Sequence, residues 1–392
     1  MQHNLSEASA RLTDRVAAAL ADRTPLRIRG GGSKDFYVPS SPGEVLDTSE
    51  LRGVVSYEPS ELVVTVGAGT PLAELEALLA EKGQCLPFEP PHFGWSATQG
   101  EPTATVGGMV AAGLAGPARA SVGGVRDYVL GVKLVNGLAQ HLTFGGQVMK
   151  NVAGYDVSRL MVGALGTLGL LTEVSLKVLP QAPAEATLVF EADQHTALEQ
   201  LHRWGAEPLP LNASCWVRDA SDAGHAGKDL LFVRLRGAVA AVESASQRMM
   251  TDLAGTRMDN AQAQADWTLC GNQRLPFFAR PAEPNMALWR MSVPQTAAVL
   301  ETPFPQLVEW HGGLRWLWAP MDAQTQLQRV VRDAGGSAAV FVAPHAGTTG
   351  ASHRFDAQSL ALAAVERRLK DTFDPHGIFN PGLSPHANHA SA

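Results

Sequence analysis

The chain has few cysteines and no long run of charges of one sign. It contains three cysteines, which are Cys85, Cys215 and Cys270, and they form no C-x-x-C pair. This spacing excludes a disulfide framework, and it excludes an iron–sulfur cluster held by this chain alone, because such a cluster needs four thiolate ligands. No block of five like charges occurs, and the formal net charge is −7. A nucleic-acid interface or a polybasic membrane surface is therefore not expected.

Long apolar runs are also missing. The longest stretches without a charged residue are 102–118 and 334–353, and both are rich in Gly, Ser, Thr or Pro. Neither has the composition of a membrane-spanning helix. Charged residues between Arg11 and Arg23 interrupt any signal-peptide core. We expect a soluble, cytoplasmic chain.

What the chain does contain is enough apolar sequence for large cores. Its 392 residues are 45% apolar and 18% charged, which favours two folded domains. The segment Leu-Pro-Gln-Ala-Pro at 179–183 is typical of a linker. We expect one domain at 1–180, a second at 184–370, and a tail at 371–392 that returns toward the first domain.

Hydrophobic periodicity predicts helices and strands on both sides of this linker. Predicted helices cover 8–22, 71–82, 156–162, 194–204, 238–254, 322–333 and 357–372. Predicted strands cover 26–29, 54–57, 62–66, 129–135, 138–144, 170–178, 186–191, 213–218, 229–236 and 338–343. Residues 255–312 show no readable period. The alternation after the linker favours an α+β layer of the split βαβ type, and Trp310, Trp316 and Trp318 are interpreted either as core or as a partner surface.

The first chemical signal is Arg29-Gly30-Gly31-Gly32-Ser33-Lys34, which follows a predicted strand. Successive glycines let backbone N–H groups converge on an anion, and Ser33 and Lys34 add side-chain donors. We expect a positive φ at Gly31. The spacing is that of neither a P-loop nor a Rossmann fingerprint, and a plain surface turn is the alternative.

Two further glycine-rich segments follow the first. Residues 104–113 read A-T-V-G-G-M-V-A-A-G, and residues 163–174 read G-A-L-G-T-L-G-L-L-T-E-V. Small residues leave the backbone open to close approach by a long, flat cofactor. A buried helix packed through small residues, and a loop that enters a core strand, are the respective alternatives.

In this order the three segments resemble the vanillyl-alcohol-oxidase-type, or PCMH-type, FAD-binding domain. Longer stretches are similar to the family of FAD-binding E subunits of bacterial glycolate oxidase, and together they span nearly the whole chain. These stretches are F-E-P-P-H at 88–92, residues 145–163, R-L-P-F-F at 274–278, L-W-R at 288–290, G-G-L-R-W-L at 312–317 and F-D-P-H-G-I-F-N-P-G at 373–382. The resemblance implies an α+β chain: a PCMH-type FAD-binding domain of two α/β subdomains, followed by a smaller, ferredoxin-like α+β cap domain.

The resemblance also implies a cofactor, FAD, and residues that bind it. Covalent relatives have a His where this chain has Ser33, so the FAD is expected to be bound noncovalently. The implied cofactor-binding residues are Arg29, Gly30, Gly31, Gly32, Ser33, Lys34, Thr105, Val106, Gly107, Gly108, Gly163, Gly166, Thr167, Gly169, Thr172 and Asn380.

Candidate catalytic residues are harder to assign. Related D-lactate and D-2-hydroxyglutarate dehydrogenases carry an H-x-G-D-G-N-x-H motif, of which residues 344–350 keep only His345 and one Gly, so no metal site is expected. His345 and His92 are candidate bases. Arg290 and Arg315 are candidates for binding a substrate carboxylate, although packing of their side chains on neighbouring tryptophans is an equally good interpretation.

The activity that the resemblance implies is oxidation of glycolate, a small 2-hydroxy acid, to glyoxylate. Electrons would pass through a separate iron–sulfur subunit to a quinone-type acceptor, and a second FAD-type subunit would carry the substrate site. The complex would meet the inner face of the plasma membrane only peripherally. Two alternatives stay open: a self-sufficient FAD-dependent 2-hydroxy-acid or sugar dehydrogenase, and a non-catalytic subunit with a flavin-holding or wholly structural role.

Overall fold

The computed structural model describes residues 2–37, 42–93, 103–146, 154–219, 227–344, 354–355 and 359–383. Along these residues the helices are α1 (Gln2–Asp22), α2 (Leu72–Ala80), α3 (Val106–Ala112), α4 (Arg119–Val122), α5 (Tyr155–Leu160), α6 (Gln194–Gly205), α7 (Val239–Asp252), α8 (Asn260–Gly271), α9 (Gln324–Asp333) and α10 (Leu360–Phe373). The strands are β1 (Leu26–Arg29), β2 (Glu44–Asp47), β3 (Val54–Glu58), β4 (Val63–Gly67), β5 (Gln84–Cys85), β6 (Val129–Val135), β7 (His141–Gly145), β8 (Leu170–Lys177), β9 (Leu179–Pro180), β10 (Ala184–Glu191), β11 (Leu211–Asp219), β12 (Lys228–Gly237), β13 (Gly255–Arg257), β14 (Met286–Ser292), β15 (Gln306–Glu309), β16 (Leu314–Pro320) and β17 (Ser337–Val342).

The predicted elements with clear periodicity are confirmed, with shifts of a few residues at their ends. The prediction missed β2, β5, β9, β16 and α4, and it missed every element between 255 and 312, where β13, α8, β14 and β15 form. Residues 106–112 form helix α3, as the buried-helix alternative for the second glycine-rich segment expects, but Gly107, Gly108, Ala111 and Ala112 of this helix are only partly buried. Its N-cap is Thr105, whose hydroxyl accepts from the Gly108 N–H.

The chain forms two compact units. The first contains residues 1–115, 124–181 and 357–392, and the second contains 116–123 and 182–356. The change of unit after residue 181 lies in the linker. The division differs from the expected boundaries in two places: the return to the first unit begins at 357 instead of 371, and the short segment 116–123 belongs to the second unit.

The first unit is built on a five-stranded antiparallel sheet of order β3-β4-β8-β6-β7. Apolar residues of β4 and β8 pack against the leucine stripe of α2 and against α3 to form its core. A separate parallel pair, β1 and β2, packs with α1 and with Phe379 in a second apolar cluster. The loop 29–34 leaves the end of β1, so it starts from packed structure.

The second unit is built on an eight-stranded antiparallel sheet of order β13-β10-β12-β11-β15-β16-β14-β17. Strands β10 to β13, with α6 and α7, follow the predicted split βαβ arrangement, and they lie side by side in the order β13-β10-β12-β11. Strands β14 to β17 show the same pattern in reverse, β15-β16-β14-β17, with α9 before the last strand. The two halves meet where β11 pairs with β15. The predicted α+β class is confirmed, and of the second half only α9 and β17 were predicted from the sequence.

The tryptophans of the second unit belong to its interior. Trp310, Trp316 and Trp318 are each at most 8% exposed. Their indole N–H groups donate to Gly116 O, to Glu309 Oε2 and to Phe277 O, respectively. The interpretation of this stretch as a partner surface is therefore wrong, because side chains this deeply buried cannot present a patch to a partner.

Candidate functional site: a cavity around the loop 29–34

The loop 29–34 presents a row of free backbone donors. Among the described residues, the backbone N–H groups of Gly31, Gly32, Ser33 and Lys34 donate to no acceptor. Arg29 closes the loop, since its Nε and Nη2 donate to Asp35 Oδ2 at 2.9 and 2.8 Å. Unpaired N–H groups in consecutive positions form a concave anion site, so the plain-turn alternative explains this loop poorly.

The glycines of this loop are required by close packing against the chain itself. A Cβ on Gly31 would lie 1.7 Å from the carbonyl oxygen of Thr103, and one on Gly30 would lie 2.5 Å from Thr105 Oγ1. The positive φ lies at Gly32, at 77°, and not at Gly31. The expectation of a positive φ at Gly31 is therefore wrong: that glycine is needed for space and not for its backbone angle.

A cavity of about 230 Å³ opens on this loop. Its lining contains all six residues of the loop together with Thr105, Gly108 and Asn380 from the predicted set. Sequence reasoning missed the remaining lining residues, which are Arg27, Ile28, Asp35, Ala111, Ala112, Leu165 and Leu383. The alanines of α3 lie one helical turn after Gly108, so helical periodicity from Gly108 was a usable signal for them; nothing in the sequence pointed to Leu383.

Lys34 supplies the charge in this cavity. Its Nζ is bonded to Ser33 Oγ at 3.3 Å and lies 5.6 Å from the centroid of the Phe93 ring. No carboxylate of the described residues forms an ion pair with it. Burial lowers the pKa of Lys34 to about 8. A partly buried ammonium beside free N–H donors fits an anion such as a diphosphate, which would supply the missing countercharge.

The other predicted cofactor residues are not part of the cavity lining. Gly107 donates its N–H to Ala68 O at 2.7 Å, and a Cβ there would lie 2.9 Å from the Ala68 carbonyl oxygen. Thr167 Oγ1 donates to Ala164 O within its own turn. The predicted residues found outside the lining are Val106, Gly107, Gly163, Gly166, Thr167, Gly169 and Thr172.

Asn380 connects three parts of the first unit at the edge of the cavity. Its Oδ1 accepts from the Ile28 N–H at 2.8 Å, and its Nδ2 donates to Leu165 O at 2.7 Å. A Cβ on Gly166 would lie 2.7 Å from Asn380 Nδ2. Both polar atoms of the Asn380 side chain are thus hydrogen-bonded to backbone groups, and Asn380 positions β1 and the 163–169 loop.

The structure describes three of the four candidate catalytic residues, which are His92, Arg290 and Arg315. His92 Nε2 lies 2.8 Å from Glu76 Oε2 on α2, in the first unit. Arg290 and Arg315 belong to the second unit, and His345 lies outside the described residues. His92 is not part of the cavity lining either.

The two arginines have different surroundings within the second unit. The Arg290 guanidinium lies over the Trp310 ring, with Cζ 5.2 Å from the centroid. Arg315 is fully buried, and its Nε and Nη2 donate to the backbone carbonyls of Gly312 and Ala297. Burial lowers the pKa of Arg315 to about 10. For Arg315 these contacts favour the packing interpretation over the carboxylate-anchor interpretation.

Within the described ranges, no group of three or more His, Cys, Asp or Glu side chains is arranged to bind a metal ion. In the same part of the chain, no helix has an apolar stretch of the length that a membrane span needs.

Comparison with known proteins agrees with this geometry. The family model described as an FAD binding domain matches residues 7–145, which include the loop, Thr105 and α3. Glycolate oxidase subunit GlcE of Escherichia coli (strain K12) is 42% identical over 371 residues, which cover 95% of this chain and 95% of that protein. Glycolate oxidase subunit GlcD of Bacillus subtilis (strain 168) is 30% identical over 185 residues, which cover 46% of this chain and 38% of that protein.

Solved structures of similar fold are more distant in sequence. An alkyldihydroxyacetonephosphate synthase superposes with a TM-score of 0.66 at 16% identity, covering 95% of this chain and 75% of that one. This likeness shows the fold. With the matching family model, it confirms the predicted PCMH-type FAD-binding architecture. The family model and the similarity to GlcE confirm FAD as the cofactor.

Proposed function

Because this chain belongs to the family of the glycolate oxidase subunit GlcE, we propose that it holds one noncovalent FAD in the complex that oxidises glycolate to glyoxylate. We further propose that electrons leave through a separate iron–sulfur subunit toward a quinone-type acceptor. The three dispersed cysteines of this chain support a separate cluster-bearing subunit, since a cluster needs four thiolates.

The observation that carries this proposal is the loop 29–34, with its row of free N–H donors and its uncompensated lysine. Bound there, FAD supplies the two-electron chemistry that no amino-acid side chain provides. The N–H groups of Gly31 to Lys34 would hold the diphosphate, and the Lys34 ammonium would neutralise part of its charge. Arg29 would keep the loop closed through its ion pair with Asp35.

The substrate step is proposed to occur mainly on a second, FAD-type subunit of the complex. Two features of this chain support that division. The motif around His345 keeps one of the residues that related dehydrogenases use for metal and base. Arg315, a candidate for binding the glycolate carboxylate, is fully buried and bonded to backbone carbonyls. An anchor for a small acid needs an accessible guanidinium.

The test is dye-coupled glycolate oxidation by the isolated, FAD-loaded chain, compared with a co-purified preparation that contains all partner subunits. We expect the complex to turn over glycolate and the isolated chain to show at most a few per cent of that rate per flavin. Equal rates per flavin would contradict the proposal and support a self-sufficient dehydrogenase.

A second experiment tests whether this flavin takes part in electron transfer. The complex is prepared with Lys34→Met in this chain, and with Lys82→Met, an exposed lysine outside the cavity, as the control. Loss of activity together with loss of this subunit's flavin, in a complex that still assembles, would support a role in the electron path. Full activity without this flavin would support the flavin-holding or structural alternative.

A further inference from the structure

Lys34 carries an amine that the proposed function uses only for its charge. Three other described lysines, Lys133, Lys228 and Lys370, form ion pairs with carboxylates. Lys34 forms none within the described part of the chain, and its Nζ is bonded to Ser33 Oγ at 3.3 Å. Burial lowers the pKa of Lys34 to about 8. On the order of a tenth or more of the FAD-free chains therefore carry the neutral, nucleophilic amine at pH 7.5.

The loop beside this amine can hold a small anion. The backbone N–H groups of Gly31, Gly32, Ser33 and Lys34 donate to no acceptor among the described residues, and such a row of donors binds anions. The hydrogen bond from Nζ to Ser33 Oγ folds the lysine side chain back over the loop, and both residues line the same cavity. A small anion held by these N–H groups would therefore lie next to the amine.

The charged residues of the cavity lining also favour an anion. Besides Lys34 they are Arg27, Arg29 and Asp35. Asp35 Oδ2 accepts from both Nε and Nη2 of Arg29, so the charges of these two residues balance each other. Arg27 forms no ion pair in the described part of the chain, and it adds a positive charge to the lining. This excess of positive charge raises the local concentration of small anions.

We propose that Lys34 of the FAD-free chain forms an imine with glyoxylate, and that this modification prevents FAD from binding. The inference rests on the proposed function, which makes glyoxylate the product of the complex. Glyoxylate joins a carboxylate directly to an aldehyde. With its carboxylate on the N–H groups of the loop, its aldehyde carbon lies beside Lys34 Nζ.

The reaction is a condensation that needs no oxidant or reductant. The Nζ lone pair forms the C–N bond as the carbonyl π bond opens, and the carbonyl oxygen takes the proton that the nitrogen loses. The carbinolamine then expels this oxygen as water, and Nζ becomes doubly bonded to the carbon. Ser33 Oγ, at 3.3 Å from Nζ, is placed to pass the proton between nitrogen and oxygen.

The imine and FAD exclude each other from the cavity. The carboxylate of the imine occupies N–H donors that would hold the diphosphate, and Lys34 loses the positive charge that would neutralise part of it. In the loaded chain, bound FAD covers the lysine and keeps it protonated, so glyoxylate does not react there.

The experiment treats the full chain, FAD-free and FAD-loaded, with glyoxylate and sodium cyanoborohydride at pH 7.5. Cyanoborohydride reduces an imine to a stable carboxymethyl-lysine, which peptide mass mapping locates. In the FAD-free chain, glyoxylate should label Lys34 at least about tenfold faster than the exposed Lys82. This preference should be smaller with acetaldehyde, which lacks the carboxylate, and bound FAD should protect Lys34. An equal preference with both aldehydes would overturn the proposal.

FAD titration after the treatment measures the consequence. The labelled wild-type chain should lose FAD binding in proportion to the label on Lys34. Lys34→Arg keeps the charge but forms no imine, so whatever FAD this variant binds should be the same before and after treatment. A treated Lys34→Arg chain that loses FAD binding would overturn the proposal, because another lysine would then be responsible.

The mapping of the wild-type chain also separates this inference from the proposed function. An unlabelled Lys34 in a chain that binds FAD normally would overturn the inference alone. Lys34 labelled equally fast with and without bound FAD would overturn the inference together with the FAD position assigned to the loop 29–34.

Discussion

Lys34 has the most informative environment of any single residue in the FAD-binding unit. Its aliphatic stem is partly buried and its ammonium meets a serine hydroxyl and a phenylalanine ring, with no carboxylate partner in the described structure. Burial therefore lowers its pKa to about 8, against 10.5 for a free lysine. A bound diphosphate would favour the charged form and raise the pKa again, so FAD binding and Lys34 protonation are linked.

This linkage predicts a pH dependence of FAD affinity. Below pH 8 Lys34 is charged in the FAD-free chain, and affinity should be constant. Above pH 8 the free chain loses the proton that the complex keeps, so affinity should fall by up to about tenfold per pH unit. The measurement is a fluorescence titration of FAD into the apoprotein between pH 6.5 and 9.5.

Lys34→Met should weaken FAD binding about 10- to 100-fold at pH 7, the equivalent of one charge-assisted hydrogen bond. It should also remove the decline in affinity above pH 8. The exposed Lys82→Met variant serves as the control and should behave as the wild type. A Lys34→Met titration with the wild-type affinity and pH profile would contradict the role assigned to this lysine.

Gly31 gives a second prediction for a single residue. Gly31→Ala should yield a chain with little or no bound FAD, because its Cβ would lie 1.7 Å from the Thr103 carbonyl oxygen and the loop must move. The matched control is Gly205→Ala, where a Cβ meets nothing within 4 Å. The measurement is the ratio of 450 to 280 nm absorbance after purification, with the melting midpoint as a check on folding. A normal ratio for Gly31→Ala would show that the loop tolerates displacement.

Among the elements, the segment after α10 decides how β1 is held. Asp374 accepts hydrogen bonds from the backbone of Ile378 and Phe379, and Lys370 Nζ donates to Thr167 O at 2.6 Å. The Leu26 N–H donates to Ile378 O, and the Asn380 N–H donates to Leu26 O. Residues 374–380 thus form a turn that pairs with β1 and fixes the strand from which the loop 29–34 starts.

Asn380→Ala should therefore destabilise the FAD-binding unit. It removes the partners of the partly buried Ile28 N–H and Leu165 carbonyl, at a total cost of about 1–3 kcal/mol. Urea denaturation of the FAD-free chain should show this loss as a lower midpoint, and FAD retention on dilution should fall. Asn260→Ala, at an exposed position on α8, is the control. Equal midpoints for the two variants would mean that water replaces the hydrogen bonds of the Asn380 side chain at no cost in free energy.

For the whole molecule, the chain should carry one FAD, and it should release it on denaturation. Among the described residues, those that line the cavity include no His, Cys or Tyr, and Ser33 stands where covalent relatives have a histidine. Acid precipitation should leave all of the flavin in the supernatant, at one mole per mole of chain. Flavin fluorescence on the washed protein pellet would contradict noncovalent binding.

The sequence by itself determined the local features of this protein. The loop 29–34, the helix after Thr105 and the strands with clear periodicity depend on neighbouring residues, because glycine freedom, helix caps and side-chain alternation act over a few positions. The order of the glycine-rich segments also carries the resemblance to the PCMH-type FAD-binding domain, and it is this resemblance that implied the fold class and the FAD.

Only the tertiary structure decided which side chains meet. Asn380 reaches the cavity from more than 200 residues beyond α3, and the eight-stranded sheet joins two halves through the pairing of β11 with β15. The sequence left Arg315 open between a carboxylate anchor and a packed side chain, and the structure buries it completely. Burial and long-range pairing are settled by the free energy of the whole packed chain, which no local pattern encodes.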